Sequence, residues 1–218
     1  MSSRLKNAKL FIVASAMMCI WSGAFAQTLM RNLFVNIPDS IYPLLTRNNR
    51  LDMIDFYDNQ MSAQVTNRLD GKSELKKLSD KYLCLQMTSA NREEMLLLTK
   101  SDSTQIVLLL STFMSPISES SFCFYTTDWR VLREKELLTP PNLKDFWLDN
   151  DTCSETQLLR AKKMINAPFI EAKIDPESFS VDFSLSLLDL ASDDRKFVAN
   201  YIRPAIKYKW TGDVFRRE

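Results

Sequence analysis

Apolar and polar residues alternate along much of the chain with the two-residue period of a β-strand. The clearest case is Phe179–Leu187, where large apolar residues alternate with three serines and an aspartate. Such a strand buries one face and leaves the other to water or to a small-residue contact surface. Gln105–Thr112 differs, because its IVLLL run is nearly continuous. That run predicts a central strand covered on both faces.

Six further segments have the composition and spacing of strands. They are Met61–Thr66, Tyr82–Thr88, Glu94–Thr99, Ser121–Thr127, Pro168–Ile174 and Ile206–Trp210. The short polar connection Ser89–Glu93 predicts that the second and third of these form a hairpin.

Helices are predicted where the period lengthens or where a capping residue precedes an apolar stripe. Residues 27–36 are expected to be an extended lead-in. The predicted helices are a short one capped by Asp39, Arg50–Asn59 capped by Asn49, one turn over Ser73–Leu78, Leu143–Leu148, Glu155–Ile165, and one from the cap Ser192 to Tyr201.

The mixture predicts an α+β protein with an antiparallel sheet of about seven to nine strands and helices packed on one side. Pro140-Pro141 forms the clearest boundary, because consecutive prolines continue neither a helix nor a central strand. We expect a single domain over residues 27–218. The boundary would divide it into two lobes, 27–138 and 142–218, whose order of elements is similar; chance explains that similarity as well as duplication does.

The first 26 residues have the pattern of a secretory signal peptide. Three basic residues precede the apolar run LFIVASAMMCIW, and Ala24-Phe25-Ala26 supplies a cleavage site before Gln27. The apolar run is shorter than the ~20 residues that a bilayer span needs. We therefore expect a cleaved, exported protein with no transmembrane segment after cleavage.

Composition excludes several classes of function. The 218 residues include no histidine, so neither a Ser-His-Asp triad nor a histidine-ligated metal site exists. The three glycines are isolated, which excludes a glycine-rich phosphate loop. A net charge of +1 without a long basic run argues against nucleic-acid binding. We predict no cofactor and no metal.

Three cysteines remain after cleavage, at Cys84, Cys123 and Cys153. Export makes a disulfide possible, and Cys84 and Cys123 both fall in predicted strands. Three small buried apolar residues are the plainer alternative. The sequence leaves the pairing open.

Two groups of residues are candidates for a site. Asp52 and Asp55 lie three residues apart on the second predicted helix, where they could form a carboxylate pair; a solvated helix face is the simpler interpretation. Trp129, Tyr208 and Trp210 could form an aromatic partner-binding surface, although aromatic residues at alternating strand positions more often belong to a core.

Several long motifs carry a resemblance to a known family. They are IPDSIYPLLTRNNRLDMIDF, MSAQVTNRLDG, KYLCLQM, FYTTDW and RPAIKYKWTGDVF. Together they resemble an uncharacterised family of small exported proteins from Bacteroidetes-type bacteria, a domain of unknown function. The resemblance implies a periplasmic or outer-surface location in a Gram-negative cell. It implies no activity and no site residues.

The first hypothesis is therefore an exported binding or accessory protein without catalytic activity, whose partner is an envelope protein or glycan. The alternative from another class is a carboxylate-dependent hydrolase of envelope glycan or peptide, centred on Asp52 and Asp55. A third is a structural subunit that adds strands to an envelope assembly through an exposed sheet edge.

Overall fold

The computed structural model describes residues 29–133, 137–148, 154–165 and 167–218. The predicted signal peptide and Cys153 lie outside these residues. Helix α1 covers residues 29–35. The other helices are α2 Arg47–Asp58, α3 Leu143–Phe146, α4 Glu155–Met164 and α5 Ser192–Ala199. The strands are β1 Gln64–Thr66, β2 Lys72–Leu78, β3 Tyr82–Thr88, β4 Asn91–Thr99, β5 Gln105–Phe113, β6 Glu119–Thr126, β7 Phe169–Asp175, β8 Ser180–Ser186, β9 Ile206–Trp210 and β10 Phe215–Arg217.

The predicted α+β class and antiparallel pairing are confirmed, with the strands divided between two sheets. Six strands form one sheet in the order β1-β2-β3-β4-β5-β6, and four form a second in the order β10-β9-β8-β7. All the pairs are antiparallel. The chain therefore builds the first sheet by adding each strand beside the one before it, as short connections favour.

Strand β5 is covered on both faces, as its IVLLL run predicts. It pairs with β4 along one edge and with β6 along the other. Ile106 and Leu108 point into one hydrophobic cluster, and Val107 and Leu109 point into a second cluster on the opposite face. The six-stranded sheet thus separates two cores, which we call the N-terminal core and the C-terminal core.

The N-terminal core lies between this sheet and the segment that contains α1 and α2. Its sheet side includes Leu83, Leu85 and Met95, and its helix side includes Phe34 and Met53. Here the expected extended lead-in is wrong, because residues 29–35 are helical. Burial of Met30, Leu33 and Phe34 against the sheet accounts for the helix, since an amphipathic stripe is stable once it packs.

The short helix predicted after Asp39 is also wrong. Residues 38–45 form successive turns, although Tyr42 and Leu45 are buried. The carbonyls of Val35, Ile37 and Leu45 all accept hydrogen bonds from the guanidinium of Arg50. The side chain of Arg50 thus satisfies the backbone groups that a helix would otherwise pair.

Helix α2 begins three residues earlier than predicted. Thr46 is its N-cap, and its hydroxyl accepts from the backbone N–H of Asn49 at 3.1 Å. The side chain of Asn49 in turn accepts from the Thr46 N–H at 3.0 Å. The two residues form a capping box, so Asn49 takes part in the cap from the third helical position.

The helical turn predicted over Ser73–Leu78 is wrong as well, because these residues belong to strand β2. Leu75 pairs with Leu85 of β3, and its side chain enters the N-terminal core. The register of β2 shifts between Leu75 and Lys77, which interrupts the alternation of apolar residues that would have identified a strand.

The C-terminal core fills the space between the opposite face of the six-stranded sheet and the four-stranded sheet with α3, α4 and α5. Leu96 and Phe124 contribute from the first sheet, and Ala172 and Phe183 contribute from the second. Phe146, Ala161 and Val198 come from the three helices. Described helices therefore lie on both sides of the six-stranded sheet, and one cluster joins residues from before and after Pro140-Pro141.

The two described cysteines, Cys84 and Cys123, are free. Cys84 packs against the C-terminal core, whereas Cys123 packs against the N-terminal core. A bridge between neighbouring strands is excluded, since β4 and β5 lie between β3 and β6. In the part of the chain that the structure describes, no helix is long and apolar enough to cross a membrane.

Candidate functional site

Two adjacent acidic residues near the start of strand β4 are buried on opposite faces of the six-stranded sheet. Glu93 is 6% exposed and Glu94 is 1% exposed. Successive side chains of a strand point to opposite faces, so Glu93 faces the N-terminal core and Glu94 faces the C-terminal core. Burial of a carboxylate is unfavourable unless it is paired or protonated, and the two sites meet this requirement differently.

Glu94 is fully partnered. It accepts from the hydroxyl of Tyr82 at 2.6 Å and from Nε of Arg92 at 3.1 Å. The same guanidinium reaches Glu171 of β7 at 3.3 Å. Burial and the bond to Glu94 raise the pKa of Tyr82 well above its usual range. This network connects the two sheets, and we interpret it as structural.

Among the described residues, Glu93 has no cationic partner. Within the described ranges, no lysine or arginine forms an ion pair with it. Its carboxylate accepts from the hydroxyl of Ser111 at 2.5 Å. Burial raises the pKa of Glu93 to about 7, while hydrogen bonds from Ser111 and Asn91 partly oppose the shift. Glu93 therefore changes charge near neutral pH.

An open cavity of about 290 Å³ lies beside this pair. We call it the Ser111 pocket. It is lined by Ser40, Ile41, Leu109, Ser111, Ser121, Phe122, Cys123 and Tyr125. Strands β5 and β6 supply six of these residues, and the turn segment before α2 supplies Ser40 and Ile41. The volume lies just below the usual range of about 300–1,000 Å³ for ligand sites, which suits only a small ligand.

The cross-strand register places the polar wall of the pocket. Glu93 pairs with Ser111, and Ser111 pairs with Ser121, so the three residues form a row across β4, β5 and β6 on one face of the sheet. On β5, the apolar residue Leu109 is followed on the same face by Ser111, and the row lies at that end of the strand. The result is a site with the hydroxyl groups of Ser111 and Ser121 at its surface and the carboxyl group of Glu93 behind Ser111.

Two tyrosines complete the polar surroundings of Glu93. The Tyr42 hydroxyl is buried and has no hydrogen-bond partner among the described residues. Burial raises the pKa of Tyr42, and the nearby charge of Glu93 adds to the effect. Burial also raises the pKa of Tyr125 to about 12, with smaller contributions from Cys123 and Glu93. Both phenols are therefore neutral when Glu93 ionises.

Arg50 holds the turn segment that closes one side of the pocket. Its guanidinium donates to Leu45 at 2.6 Å, to Ile37 at 3.0 Å and to Val35 at 3.2 Å. These three carbonyls flank Ser40 and Ile41 in the chain. Five N–H donors in one rigid plane let a single arginine hold both ends of the segment. Arg50 does not line the pocket itself, but it fixes the segment that supplies Ser40 and Ile41 to the pocket wall.

The sequence-predicted carboxylates lie elsewhere. Asp52 and Asp55 are exposed on α2, and neither lines the Ser111 pocket. The hydrolase hypothesis expects a concave pocket around these two acids, so the geometry gives it no support. The hypothesis stays a prediction.

The three aromatic candidates are divided between the two cores. Trp129 packs edge-on against Tyr125, with ring centroids 5.6 Å apart, on the N-terminal side. Tyr208 packs on Phe183 at 5.5 Å on the C-terminal side. Trp210, on the same side, donates its indole N–H to the carbonyl of Thr99 at 2.9 Å. The structure therefore brings Tyr208 and Trp210 together but not Trp129.

Trp129 also lines a second cavity, of about 310 Å³, between α1 and the loop after β6. Its backbone has a φ of 64°, in the left-handed region that residues other than glycine rarely adopt. Its indole N–H is buried without a partner among the described residues. Asn32, Asn36 and Asp128 are the charged and amide residues among those that line the cavity.

Sequence reasoning missed Glu93, Ser111 and Ser121. It assigned Glu93 to the polar connection between β3 and β4, whereas β4 begins at Asn91. Acidic residues at the start of an apolar run usually mark an exposed strand end. The available signal was the apolar run that follows Glu93 and Glu94 directly. A strand of nine residues that contains this run also places both acids in the sheet.

No cluster of three or more metal-ligating side chains occurs within the described part of the chain. The chemistry available in the Ser111 pocket is hydrogen bonding by hydroxyls, a thiol and a phenol, together with one ionisable carboxyl group behind Ser111. This arrangement is suited to holding a small polar molecule.

The fold is shared with a solved protein structure. It is similar to a solved structure described as a domain of an uncharacterized protein from Porphyromonas gingivalis W83, with a TM-score of 0.73 and 19% identity. The match covers 87% of this chain and 98% of the other. At this identity the likeness shows a shared fold.

The family is defined by sequence. Residues 22–215 match the family described as "Protein of unknown function (DUF3256)". Because the match spans most of the chain, the protein belongs to this family. A comparison with curated proteins returned no match.

Proposed function

We propose that this protein is an exported binding or accessory protein without catalytic activity, and that it holds a small ligand in the Ser111 pocket. The observation that carries the proposal is the row of Glu93, Ser111 and Ser121 beside an open cavity. Of the three, Glu93 is buried and has no cation to pair with among the described residues, and burial of such a carboxyl group is unfavourable for folding. A binding role accounts for polar groups kept at this position.

The remaining contents of the pocket fit binding better than catalysis. Its hydroxyls lie beside the apolar side chains of Leu109 and Ile41, the usual combination of a few placed polar groups in an apolar wall. Ser111 has an acidic hydrogen-bond partner, yet no described lysine forms an ion pair with Glu93 to complete a nucleophilic system. The pocket can select a ligand without changing it.

The export part of the proposal rests on the N-terminal pattern of residues 1–26. It is tested by isolating the protein from its native cells and determining its N-terminus by mass spectrometry. A chain that begins at Gln27 and is recovered from the periplasmic or outer-surface fraction supports export. A chain that retains residues 1–26 in the cytoplasm contradicts it.

The binding part is tested by affinity purification of the tagged mature protein from its native envelope after mild crosslinking. Ser121→Trp fills the pocket with an indole, whereas Ser184→Trp alters the small polar face of β8, which the sequence suggested as a contact surface. Native mass spectrometry and proteomics then identify small molecules and proteins that are retained. Loss of a bound small molecule in Ser121→Trp alone supports the pocket as the site.

Two other results would redirect the proposal. Loss of a protein partner in Ser184→Trp alone would assign the contact to the second sheet and leave the pocket without a role. Retention of every bound species by both variants would contradict both surfaces.

The structural-subunit alternative has less support from the edges of the sheets. Edge strands β1 and β10 have three residues each, and short edges resist pairing with other chains. Edge strands β6 and β7 lie against each other, where the hydroxyl of Ser120 accepts from the backbone N–H of Ala172 at 2.8 Å. Two of the four edges are thus short, and the other two are joined.

A further inference from the structure

The hydrogen bond between Ser111 and Glu93 fixes which kind of group the pocket can receive. An ionised carboxylate accepts hydrogen bonds only, so the proton of this bond belongs to Ser111. With its O–H directed at Glu93, the Ser111 oxygen keeps two lone pairs for other partners. Toward the pocket, Ser111 therefore acts as an acceptor.

The electrostatics of the pocket point the same way. Its eight lining residues include no lysine or arginine, and the carboxylate of Glu93 lies directly behind Ser111. Glu93 is itself only 6% exposed, and a buried charge is screened less than an exposed one, so its field reaches the neighbouring pocket. The field in the pocket thus favours a positive group and disfavours an anion.

Resting on the proposed function, we infer that the Ser111 pocket takes a small hydroxylated molecule that carries an ammonium group, and that Ser111 accepts a hydrogen bond from this group. The hydroxyls of Ser40 and Ser121 provide partners for the ligand's hydroxyls, because each serine both donates and accepts. The apolar side chains of Leu109 and Ile41 contact its carbon skeleton.

Protonation of Glu93 reverses the polarity of the site. A protonated carboxyl donates to Ser111, which frees the Ser111 O–H to point into the pocket as a donor. An ammonium group can only donate hydrogen bonds. It then loses both the Ser111 oxygen as an acceptor and the negative charge of Glu93. Ammonium binding should therefore require ionised Glu93.

The other titratable and charged groups near Glu93 do not obscure this dependence. Tyr42 from the turn segment and Tyr125 from β6 interact with Glu93, and the raised pKa of each keeps it neutral. Cys123 from β6 lies beside Tyr125. Arg50 from α2 acts on Tyr42, and its own charged partner is Asp39, at 3.7 Å.

Three open-chain sugar derivatives of equal carbon number provide the test. D-glucamine carries an ammonium group, sorbitol is neutral and gluconate is an anion. A primary alkylammonium keeps its charge between pH 6 and pH 8, so in this range only the protein changes charge. Binding of each compound to the mature protein is measured by calorimetry and by ligand-observed NMR.

At pH 8 we expect D-glucamine to bind at least tenfold more tightly than sorbitol, and gluconate to bind more weakly than either. Around a pKa of about 7, the ionised fraction of Glu93 falls from roughly nine tenths at pH 8 to roughly one tenth at pH 6. The affinity for D-glucamine should fall by about the same factor, close to tenfold.

Three variants test whether the preference for an ammonium group depends on Glu93 and Ser111. Glu93→Gln keeps the shape and removes the charge, so both the preference for D-glucamine and its pH dependence should disappear. Ser111→Ala should weaken D-glucamine at pH 8 with little effect at pH 6. Glu119→Gln, an exposed position on the neighbouring β6, is the matched control and should behave as the unmodified protein.

The outcomes separate this inference from the proposed function. If sorbitol or gluconate binds as tightly as D-glucamine at pH 8, the ammonium preference is wrong, while the pocket remains a ligand site. If D-glucamine binds equally well to Ser111→Ala, or if none of the three compounds binds, the inference is overturned. The proposed function is then decided separately by the envelope purification.

Discussion

The guanidinium of Arg50 donates a hydrogen bond of 2.6 Å to the backbone carbonyl of Leu45, five residues earlier in the chain. Arg50 is only 2% exposed, and its other two backbone bonds reach Ile37 and Val35. One side chain thus holds the segment that packs Tyr42 into the N-terminal core and carries Ser40 to the pocket.

Arg50→Met should destabilise the protein strongly. The change leaves three carbonyls without their donor, and each unsatisfied buried group costs about 1–3 kcal/mol. We expect a loss of at least about 3 kcal/mol in the free energy of unfolding, measured by urea denaturation. Arg47→Met, at an exposed position on the same helix, is the control and should cost less than ~0.5 kcal/mol. Equal costs for the two variants would show that the three bonds contribute little.

Glu93→Gln should stabilise the protein at high pH. The pKa of Glu93 rises from 4.5 to about 7 on folding, so the folded state binds more protons than the unfolded state between those values. Stability is therefore lost as pH rises through this window, by about 3 kcal/mol in total. Glutamine has no charge to bury and escapes the loss.

The prediction is checked by denaturant unfolding of the two proteins from pH 4 to pH 8. Their free energies of unfolding should be similar at pH 4 and should diverge to about 3 kcal/mol at pH 8, with Glu93→Gln the more stable. Glu119→Gln should track the unmodified protein. A constant difference across the whole range would mean that Glu93 does not titrate in this window.

Arg92→Met should be costly because it leaves Glu94 buried without a cation. Breaking one partner of a buried ion pair typically costs about 3–5 kcal/mol. Adding Glu94→Gln to Arg92→Met should recover part of the loss, because the uncompensated charge is then removed. The coupling is measured as a double-mutant cycle of unfolding free energies.

The matched control for Arg92 is Arg130→Met. Arg130 pairs with Asp128 at 2.8 Å, but both side chains are more than half exposed. Exposed pairs contribute about 0–1 kcal/mol, so the control variant should stay within that range. A similar loss in both arginine variants would refute a special role for burial.

Gly212→Ala should destabilise the junction between the two sheets. Gly212 has a φ of 101°, and its carbonyl accepts from the Ser101 N–H at 2.9 Å. An alanine Cβ would lie 2.8 Å from the Ser101 hydroxyl oxygen. The backbone strain alone should cost roughly 1–3 kcal/mol in the free energy of unfolding.

A second variant separates strain from contact. In a Ser101→Ala background the clash is removed while the φ of 101° remains, so Gly212→Ala should still be destabilising. Full recovery of stability in that background would assign the effect to the contact with Ser101. Thermal unfolding of the four proteins makes the comparison.

Much of the strand content could be predicted from local sequence. Tyr82–Thr88 and Ile206–Trp210 have the predicted bounds. The continuous apolar run of β5 correctly indicated a strand buried on both faces. These patterns are local because a strand alternates its side chains regardless of which strands lie beside it.

The helical predictions failed where side chains far along the chain decide the backbone. Nothing near Asp39 indicates that Arg50 will satisfy the carbonyls of its segment, so a capping residue and an apolar stripe favoured a helix there. Strand β2 was missed for a related reason, since its bulge interrupts the alternation that a register shift against β3 accommodates.

The sequence by itself determined the α+β class, the antiparallel strands, the exclusion of histidine-dependent chemistry and the resemblance to a family. Only the tertiary structure divided the strands between two sheets and placed Glu93 and Glu94 on opposite faces of one strand. Strand periodicity and composition are properties of neighbouring residues. The partner of a buried carboxyl group on another strand is set by the pairing of strands across the sheet, which gave Glu94 the hydroxyl of Tyr82 and Glu93 the hydroxyl of Ser111.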